Sequence, residues 1–338
     1  MSSSTPTLRN VGIAIAATVA VSLVAWRLTK PKPKEFTVAD IPSVQGKTFL
    51  VTGGNAGLGY ETCLQLSKKN AGTIILAARS EQKAMEAIDA IKREVPTAVI
   101  QFLKLDLSNL KQVDAAAKDL IKKGTKIDVL INNGGIYNTP FALTVDGIEE
   151  TFAVNYVGHF HLTRTLLPLL SKSSEPRIVN LSSGLHAAAP ANGIAFNGLN
   201  DAKTMNGVQR YAQSKLAMVL FTTTLNKRYG GKIYVNAADP GYTATKMASK
   251  QDAGFLKWMD AICLPLFGRS VSDGALTQLY LATSPEVVEK QYKGLHFSPI
   301  ASKENGEKGL SALAKDDTLA EKLWVFTEDL VKEKLGGV

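Results

Sequence analysis

The sequence predicts an α/β fold: a single domain built on one doubly wound parallel sheet, behind an N-terminal hydrophobic helix. Three observations carry that expectation. Apolar, β-rich runs alternate with amphipathic stretches, a glycine-rich turn joins the first run to the first amphipathic stretch, and an uncharged segment, Val11–Trp26, precedes them all. Strands that are apolar throughout are buried on both faces, which calls for a parallel sheet with helices on either side. Right-handed crossovers then wind the sheet in both directions from its middle.

The uncharged segment VGIAIAATVAVSLVAW is followed by Arg27, Lys30, Lys32 and Lys34. A membrane-spanning helix takes roughly 20 apolar residues, within a range of about 17–25. Counting Asn10 and Leu28, or letting Arg27 snorkel, brings this segment to that length. A cleavable targeting signal and a soluble helix are the rival readings. The lone Arg9 ahead of the run and the bulky Trp26 at its end argue against cleavage. Positive charge on the C-terminal flank predicts a single-pass anchor with the folded domain facing the cytosol, on endoplasmic reticulum or lipid droplet. Pro31 and Pro33 stiffen the spacer that follows. The expected organisation is an anchor and spacer over residues 1–34, then one domain with a helical tail over residues 35–338.

Within that domain the first strand is expected over Lys47–Thr52 and the first helix over Gly57–Asn70. A second strand, Thr73–Ala77, leads to a helix over Glu81–Glu94, stopped by Pro96. Strand three is Ala98–Lys104, with a helix over Leu110–Lys123 ending at Gly124. Asp128–Ile131 is strand four, and one long helix spans Gly147–Leu170. Arg177–Leu181, a helix over Gln209–Tyr229, Lys232–Ala237 and Gly294–Ser298 complete the pattern. Ala301–Lys315 reads as loop. A last helix follows an Asp316 or Asp317 cap, with Leu319, Leu323, Phe326 and Leu330 on one face.

Composition narrows the function classes. Hydrophobic residues make up 45% and charged residues 20%, ordinary for a chain that buries a full core. The formal net charge is +9, but the lysines are scattered over amphipathic faces, which argues against a nucleic-acid partner. Two cysteines, Cys63 and Cys263, form no disulfide framework and no metal site is expected.

The chemistry starts at Thr52-Gly53-Gly54-Asn55-Ala56-Gly57-Leu58-Gly59, between a strand and a helix. Glycine lets backbone turn tightly and approach a pyrophosphate, and the helix opening near Leu58 offers free N–H groups and a positive dipole end. A Rossmann domain that prefers NAD ends its second strand in a carboxylate that grips the ribose hydroxyls. Here that strand ends Leu76-Ala77-Ala78-Arg79, and a guanidinium there suits a 2′-phosphate, which favours NADP(H). Asp106 and Leu107 follow strand three, and Asn133-Gly134 follows strand four, at strand ends where open α/β sheets bind ligands. Tyr211 and Lys215 lie four apart on one helix face. An ammonium beside a phenol lowers the tyrosine from about 10 toward working pH, which fits it for acid–base work on an alcohol–carbonyl pair.

Taken in order, Thr-Gly-x-x-x-Gly-x-Gly, Asn-Asn-Gly-Gly, the strand-end serines Ser182-Ser183 and Tyr-x-x-x-Lys resemble the short-chain dehydrogenase/reductase family over roughly residues 45–300. The resemblance implies that Ser183 bonds the substrate oxygen, Tyr211 moves its proton, and Lys215 binds the nicotinamide ribose. It further implies that Asn155 supports the relay water and that Pro240, Gly241 and Thr243 hold the nicotinamide amide. The implied cofactor site comprises Gly53, Asn55, Gly57, Leu58, Gly59, Arg79, Asp106, Leu107, Asn133, Gly134, Tyr211, Lys215, Pro240, Gly241 and Thr243.

Leu76-Ala77-Ala78-Arg79, Asn155-Tyr156-Val157-Gly158-His159-Phe160, Tyr211-Ala212-Gln213-Ser214-Lys215-Leu216-Ala217 and Leu319-Ala320-Glu321-Lys322-Leu323-Trp324 are similar to the retinol-dehydrogenase-like branch, with its fungal and plant relatives. Gly134 departs from the branch's Asn-Asn-Ala-Gly, and the stretch around Asn192–Met205 is lengthened. His186 is expected to line the pocket or pack a loop rather than catalyse. Thr245–Phe267, with Phe255, Leu256, Trp258, Met259, Leu264, Leu266 and Phe267, reads either as an apolar lid or as core packing. The expected substrate is a lipophilic alcohol or carbonyl compound, retinoid-like or a long-chain aldehyde or ketone. A small soluble metabolite and an idle dinucleotide-binding scaffold are the alternatives, and the sequence leaves a homo-oligomer open.

Overall fold

Seven parallel strands run in the order β3-β2-β1-β4-β5-β6-β7. They are β1 Thr48–Thr52, β2 Thr73–Ala78, β3 Ile100–Lys104, β4 Val129–Asn132, β5 Arg177–Leu181, β6 Tyr234–Ala238 and β7 His296–Phe297. The computed structural model describes residues 35–137, 139–243 and 268–336. The doubly wound parallel sheet expected from the sequence is present. The hydrophobic segment Val11–Trp26, the lid segment Thr245–Phe267 and Cys263 lie outside the described residues. Among the described residues, no helix is long and apolar enough to cross a membrane.

The chain reverses direction between β1 and β4, so the loops leaving these two neighbours open a crevice at the carboxyl edge. Every residue of β1, β4 and β5 is buried. β3 lies at the edge of the sheet and exposes Gln101 and Lys104, so its pattern is more polar than the interior strands.

Among the described residues the principal helices are α1 Gly57–Lys68, α2 Glu81–Glu94, α3 Leu110–Lys122, α4 Gly158–Leu170, α5 Gly207–Tyr229, α6 Val271–Thr283 and α7 Asp317–Lys334. Short polar side chains fix their starts. Ser80, Asn109, Asn206, Ser270 and Asp316 each accept a backbone N–H in the first turn. The Asn206–Gln209 capping box starts α5 two residues ahead of the expected Gln209.

Three stretches differ from the sequence pattern. The long helix expected over Gly147–Leu170 begins as the short turn Glu150–Phe152 and passes through a π-helical turn, Ala153–Val157, before α4. α6 was not anticipated. Gly274 through Thr283 are all buried, so the helix lacks the polar stripe that reveals an amphipathic one. The tail stretch Ala301–Lys315, expected as loop, contains the short helix Lys303–Gly309, capped by Ser302.

The inner face of α7 is also turned from the expected one. Leu319 and Leu323 are buried as expected, but Trp324, Thr327 and Val331 complete the face, and Phe326 and Leu330 are half-buried. Trp324 packs edge-on to Phe160 at 5.0 Å, and the Thr327 hydroxyl lies 2.9 Å from the Tyr156 phenol. The tail therefore buttresses the π turn.

Candidate active site

The first loop of the crevice is the glycine turn. Gly53 sits at φ 65°, and a Cβ there would lie 2.9 Å from the Gly134 Cα. At Gly59 a Cβ would lie 2.3 Å from the Gly53 carbonyl oxygen. Backbone thus fills the space that side chains would need. α1 begins behind Ala56, which provides no side-chain cap, so the helix start keeps N–H groups for another acceptor. A cradle of this shape and polarity fits a pyrophosphate.

The second loop leaves β4 and is laced to the first. Thr52 Oγ1 accepts the backbone N–H groups of Asn133 at 2.9 Å and Gly134 at 2.8 Å, and Asn133 Nδ2 donates to the Thr52 carbonyl at 2.8 Å. Leu107 closes the floor: its Cδ1 would lie 2.9 Å from a Cβ on Gly134. Asp106 Oδ1 is taken by the Ser108 N–H at 3.0 Å and the Ser108 hydroxyl at 2.6 Å. Arg79 is exposed just past the end of β2. Gly241, at φ 72°, donates its N–H to Asp239 Oδ1 at 2.8 Å, and the Thr243 hydroxyl lies 3.2 Å from the Pro240 carbonyl.

The residues expected to react come together beside these loops. Ser183 ends the loop from β5, and Tyr211 and Lys215 face it from α5. The Tyr211 phenol hydrogen-bonds the Ser183 side chain. Lys215 Nζ donates to the Leu181 carbonyl at 3.0 Å and sits 5.5 Å from the Tyr211 ring centre. A Cβ on Gly135 would lie 3.2 Å from Asn155 Oδ1 and 3.8 Å from Lys215 Nζ, which places both groups at one wall. Asn155 comes from the π turn. Its amide donates to the Ile136 carbonyl at 3.0 Å and to Ser214 Oγ at 2.9 Å, while its oxygen accepts the Ile136 N–H at 2.8 Å. π turns interrupt helices where a side chain must be re-aimed, and this one aims Asn155 at α5.

The electrostatics correct one expectation. Tyr211 is raised above the ordinary phenol value rather than lowered. Burial does this first, and the charges of Asp239 and Tyr137 add to it against the Ser183 hydrogen bond. Burial lowers Lys215 to about 8, with the Asp239 carboxylate opposing. Lys215 Nζ bonds a backbone carbonyl, and on the phenol burial outweighs the groups that favour its ionised form. Tyr211 is therefore protonated at neutral pH.

Several contributors went unseen in the sequence. Tyr137 packs edge-on to Tyr211 with ring centres 4.6 Å apart. Arg210, one residue before Tyr211, pairs with the buried Glu149 at 3.3 Å and donates to the carbonyls of Met205 and Thr139. That pair and the Ala195 N–H bond to Gln213 at 2.7 Å fasten the lengthened Asn192–Met205 stretch to α5. A Glu and an Arg 61 positions apart give no local pattern. His186 bonds across its loop: Nδ1 donates to the Ser183 carbonyl at 2.8 Å and Nε2 accepts the Ser311 N–H at 3.3 Å. Among the described residues no cluster is suited to a metal ion.

A glycine cradle at the switch point of a doubly wound sheet, with Ser, Tyr, Lys and Asn at one wall, defines a dinucleotide-dependent oxidoreductase. The short chain dehydrogenase family model matches residues 47–254, and the chain belongs to that family. Members couple a small alcohol–carbonyl pair to an NAD(P) cofactor. Within it the chain is retinol-dehydrogenase-like. It is 34% identical to human retinol dehydrogenase 14, across 92% of this chain and 94% of that protein. It is 36% identical to an uncharacterized oxidoreductase of Schizosaccharomyces pombe, across 90% of each. A crystal structure from Mycobacterium paratuberculosis superposes with a TM-score of 0.67 at 31% identity, covering 88% of this chain and 98% of that one. A dehydrogenase structure from Beutenbergia cavernae with bound NADP gives 0.58 at 25% identity, covering 73% and 93%.

Proposed function

We propose that this chain is an NADP(H)-dependent reductase or dehydrogenase of lipophilic carbonyl–alcohol pairs, retinoid-like or long-chain, held at a membrane by its N-terminal segment. The observation that carries the chemistry is the shared wall of Ser183, Tyr211, Lys215 and Asn155. The nicotinamide supplies or accepts the hydride when bound. In reduction, the Ser183 hydroxyl and the Tyr211 phenol hold the carbonyl oxygen, and Tyr211 gives it the proton. Lys215 holds the ribose and keeps positive charge near the oxygen as the proton leaves, with Asn155 supporting its resupply. NADPH oxidation over a panel of aldehydes and ketones tests the reading. Rates favouring long-chain or retinoid-like aldehydes support it. Activity confined to small hydrophilic carbonyls, or none on any, overturns it.

With Lys215 at about 8, the reductive rate is expected to fall as pH rises through that value, because the uncharged amine no longer supports proton transfer. A kcat profile that stays flat well above this pH contradicts the role given to Lys215.

Arg79 supports the choice of NADP(H), since the end of β2 offers a guanidinium and no carboxylate. Arg79→Ala is expected to weaken NADPH roughly 10- to 150-fold, the worth of a charge-assisted pair, while NADH changes little. Equal losses in titrations with the two cofactors refute the contact.

The membrane reading rests on the uncharged Val11–Trp26 and the four basic residues behind it. The full chain is expected to stay in the membrane pellet through alkaline carbonate, and protease outside sealed microsomes to digest the domain. Release by carbonate removes the anchor, and a protected domain reverses the topology.

A further inference from the structure

We infer that His159, a buried residue at the start of α4, is a positioning residue that couples the dinucleotide-binding turns to Asn155. The inference deepens the proposed reaction and rests on it for the role of Asn155. Hydrogen-bond accounting around Thr52 carries it. The Thr52 hydroxyl has two lone pairs and one hydrogen. Both lone pairs are engaged by the N–H groups of Asn133 and Gly134, at 2.9 and 2.8 Å. Its hydrogen has two available acceptors, His159 Nε2 at 2.8 Å and the Ile131 carbonyl at 3.4 Å. The shorter contact decides for the imidazole.

Nε2 is then an acceptor, so the ring's hydrogen is on Nδ1. That nitrogen lies 3.1 Å from the Asn155 carbonyl, to which it donates. The ring is required to be neutral, since a second ring proton would face the two N–H groups' shared acceptor. Burial and the charge of Lys215 both favour this, lowering His159 to about 4.

The result is a linked set of contacts through a buried centre. It runs from Gly134 and Asn133 through Thr52 and His159 to the backbone carbonyl of Asn155, whose side-chain amide in turn holds Ile136 and Ser214 of α5. Ser214 adjoins Lys215 in sequence. His159, Thr52, Asn155 and Ser214 are each at most 1% exposed, so no water competes for these contacts. The imidazole is the rigid spacer that fixes the cofactor cradle against the wall that moves the proton.

Two substitutions separate its arms. In His159→Gln the amide oxygen reaches toward Thr52, but nothing donates to the Asn155 carbonyl. In His159→Asn the amide N–H replaces Nδ1–H, and the Thr52 arm is lost. His159→Gln is expected to hold the NADPH dissociation constant within about threefold and lower kcat roughly tenfold. His159→Asn is expected to show the reverse split. Histidine-labelled 15N NMR of the full chain in detergent, with four histidines to assign, is expected to show an Nδ1–H tautomer. That tautomer is expected not to titrate between about pH 5 and about pH 8. An Nε2–H tautomer, a titrating ring, or equal losses of affinity and kcat in both variants overturns the inference. If the variants do not fold, the wild-type tautomer alone decides. A wild-type chain that reduces no carbonyl overturns the reaction proposed above, while NADPH affinity and the tautomer still test the coupling.

Discussion

Tyr211→Phe is expected to leave the fold and NADPH binding intact and to lower turnover by about 10²- to 10⁴-fold, the usual contribution of a positioned proton donor. The argument is one of a single atom. The ring is fixed by its edge-on contact with Tyr137, and phenylalanine keeps that packing. What is lost is the hydroxyl that meets Ser183 and carries a proton held there by burial. Ser183 and Lys215 remain to bind and polarise, but neither takes the place of the phenol oxygen. Stopped-flow or steady-state NADPH oxidation beside a dinucleotide titration separates the two effects. Retention of more than about a tenth of the wild-type rate would mean that the proton comes from elsewhere. Lys215→Ala, by contrast, is expected to weaken binding and turnover together.

The sheet was legible because its signals are local. β1, β4 and β5 each carry a contiguous apolar run, Phe49–Val51, Val129–Ile131 and Ile178–Val179, and the turn Thr52–Gly59 is a contiguous motif. The same holds for Tyr211 and Lys215, which share a helix face by spacing alone. What escaped depends on residues far apart in sequence. α6 is buried on all sides, so its periodicity is silent, although Ser270 and Asp273 carry a capping signal at its start. The Glu149–Arg210 pair and the contact of Thr52 with His159, 107 positions on, exist only once the chain has folded. The direction of the Tyr211 shift was misjudged for a related reason. Spacing brings Lys215 near the ring but says nothing of the burial and the Asp239 charge that raise the phenol. The π turn was hidden because Ala153, Asn155, Tyr156 and Val157 are all buried, so the shift of register meets no polar face that would mark it.

Gly59→Ala is expected to abolish high-affinity dinucleotide binding, by about 100-fold or more, a loss of about 2.7 kcal/mol. A Cβ at this position would lie 2.3 Å from the Gly53 carbonyl oxygen and 2.6 Å from Asn133 Nδ2. Neither neighbour can yield freely. The first is backbone of the turn itself, and the second donates to the Thr52 carbonyl at 2.8 Å. Relief therefore requires Gly53 and the β4 loop to separate, which opens the cradle where the pyrophosphate is proposed to sit. Overpacking of this kind costs about 1–3 kcal/mol of stability. A domain of this size then loses roughly 2–4 °C of Tm for each kcal/mol. Gly231→Ala serves as the control, since a Cβ there meets nothing within 4 Å, and it is expected to change neither Tm nor affinity. Fluorescence titration with NADPH and thermal melting of both variants check the pair. Wild-type affinity in Gly59→Ala would place the pyrophosphate outside this turn. A Tm loss without an affinity loss would show that the close approach serves packing of α1 against the sheet and not the cofactor.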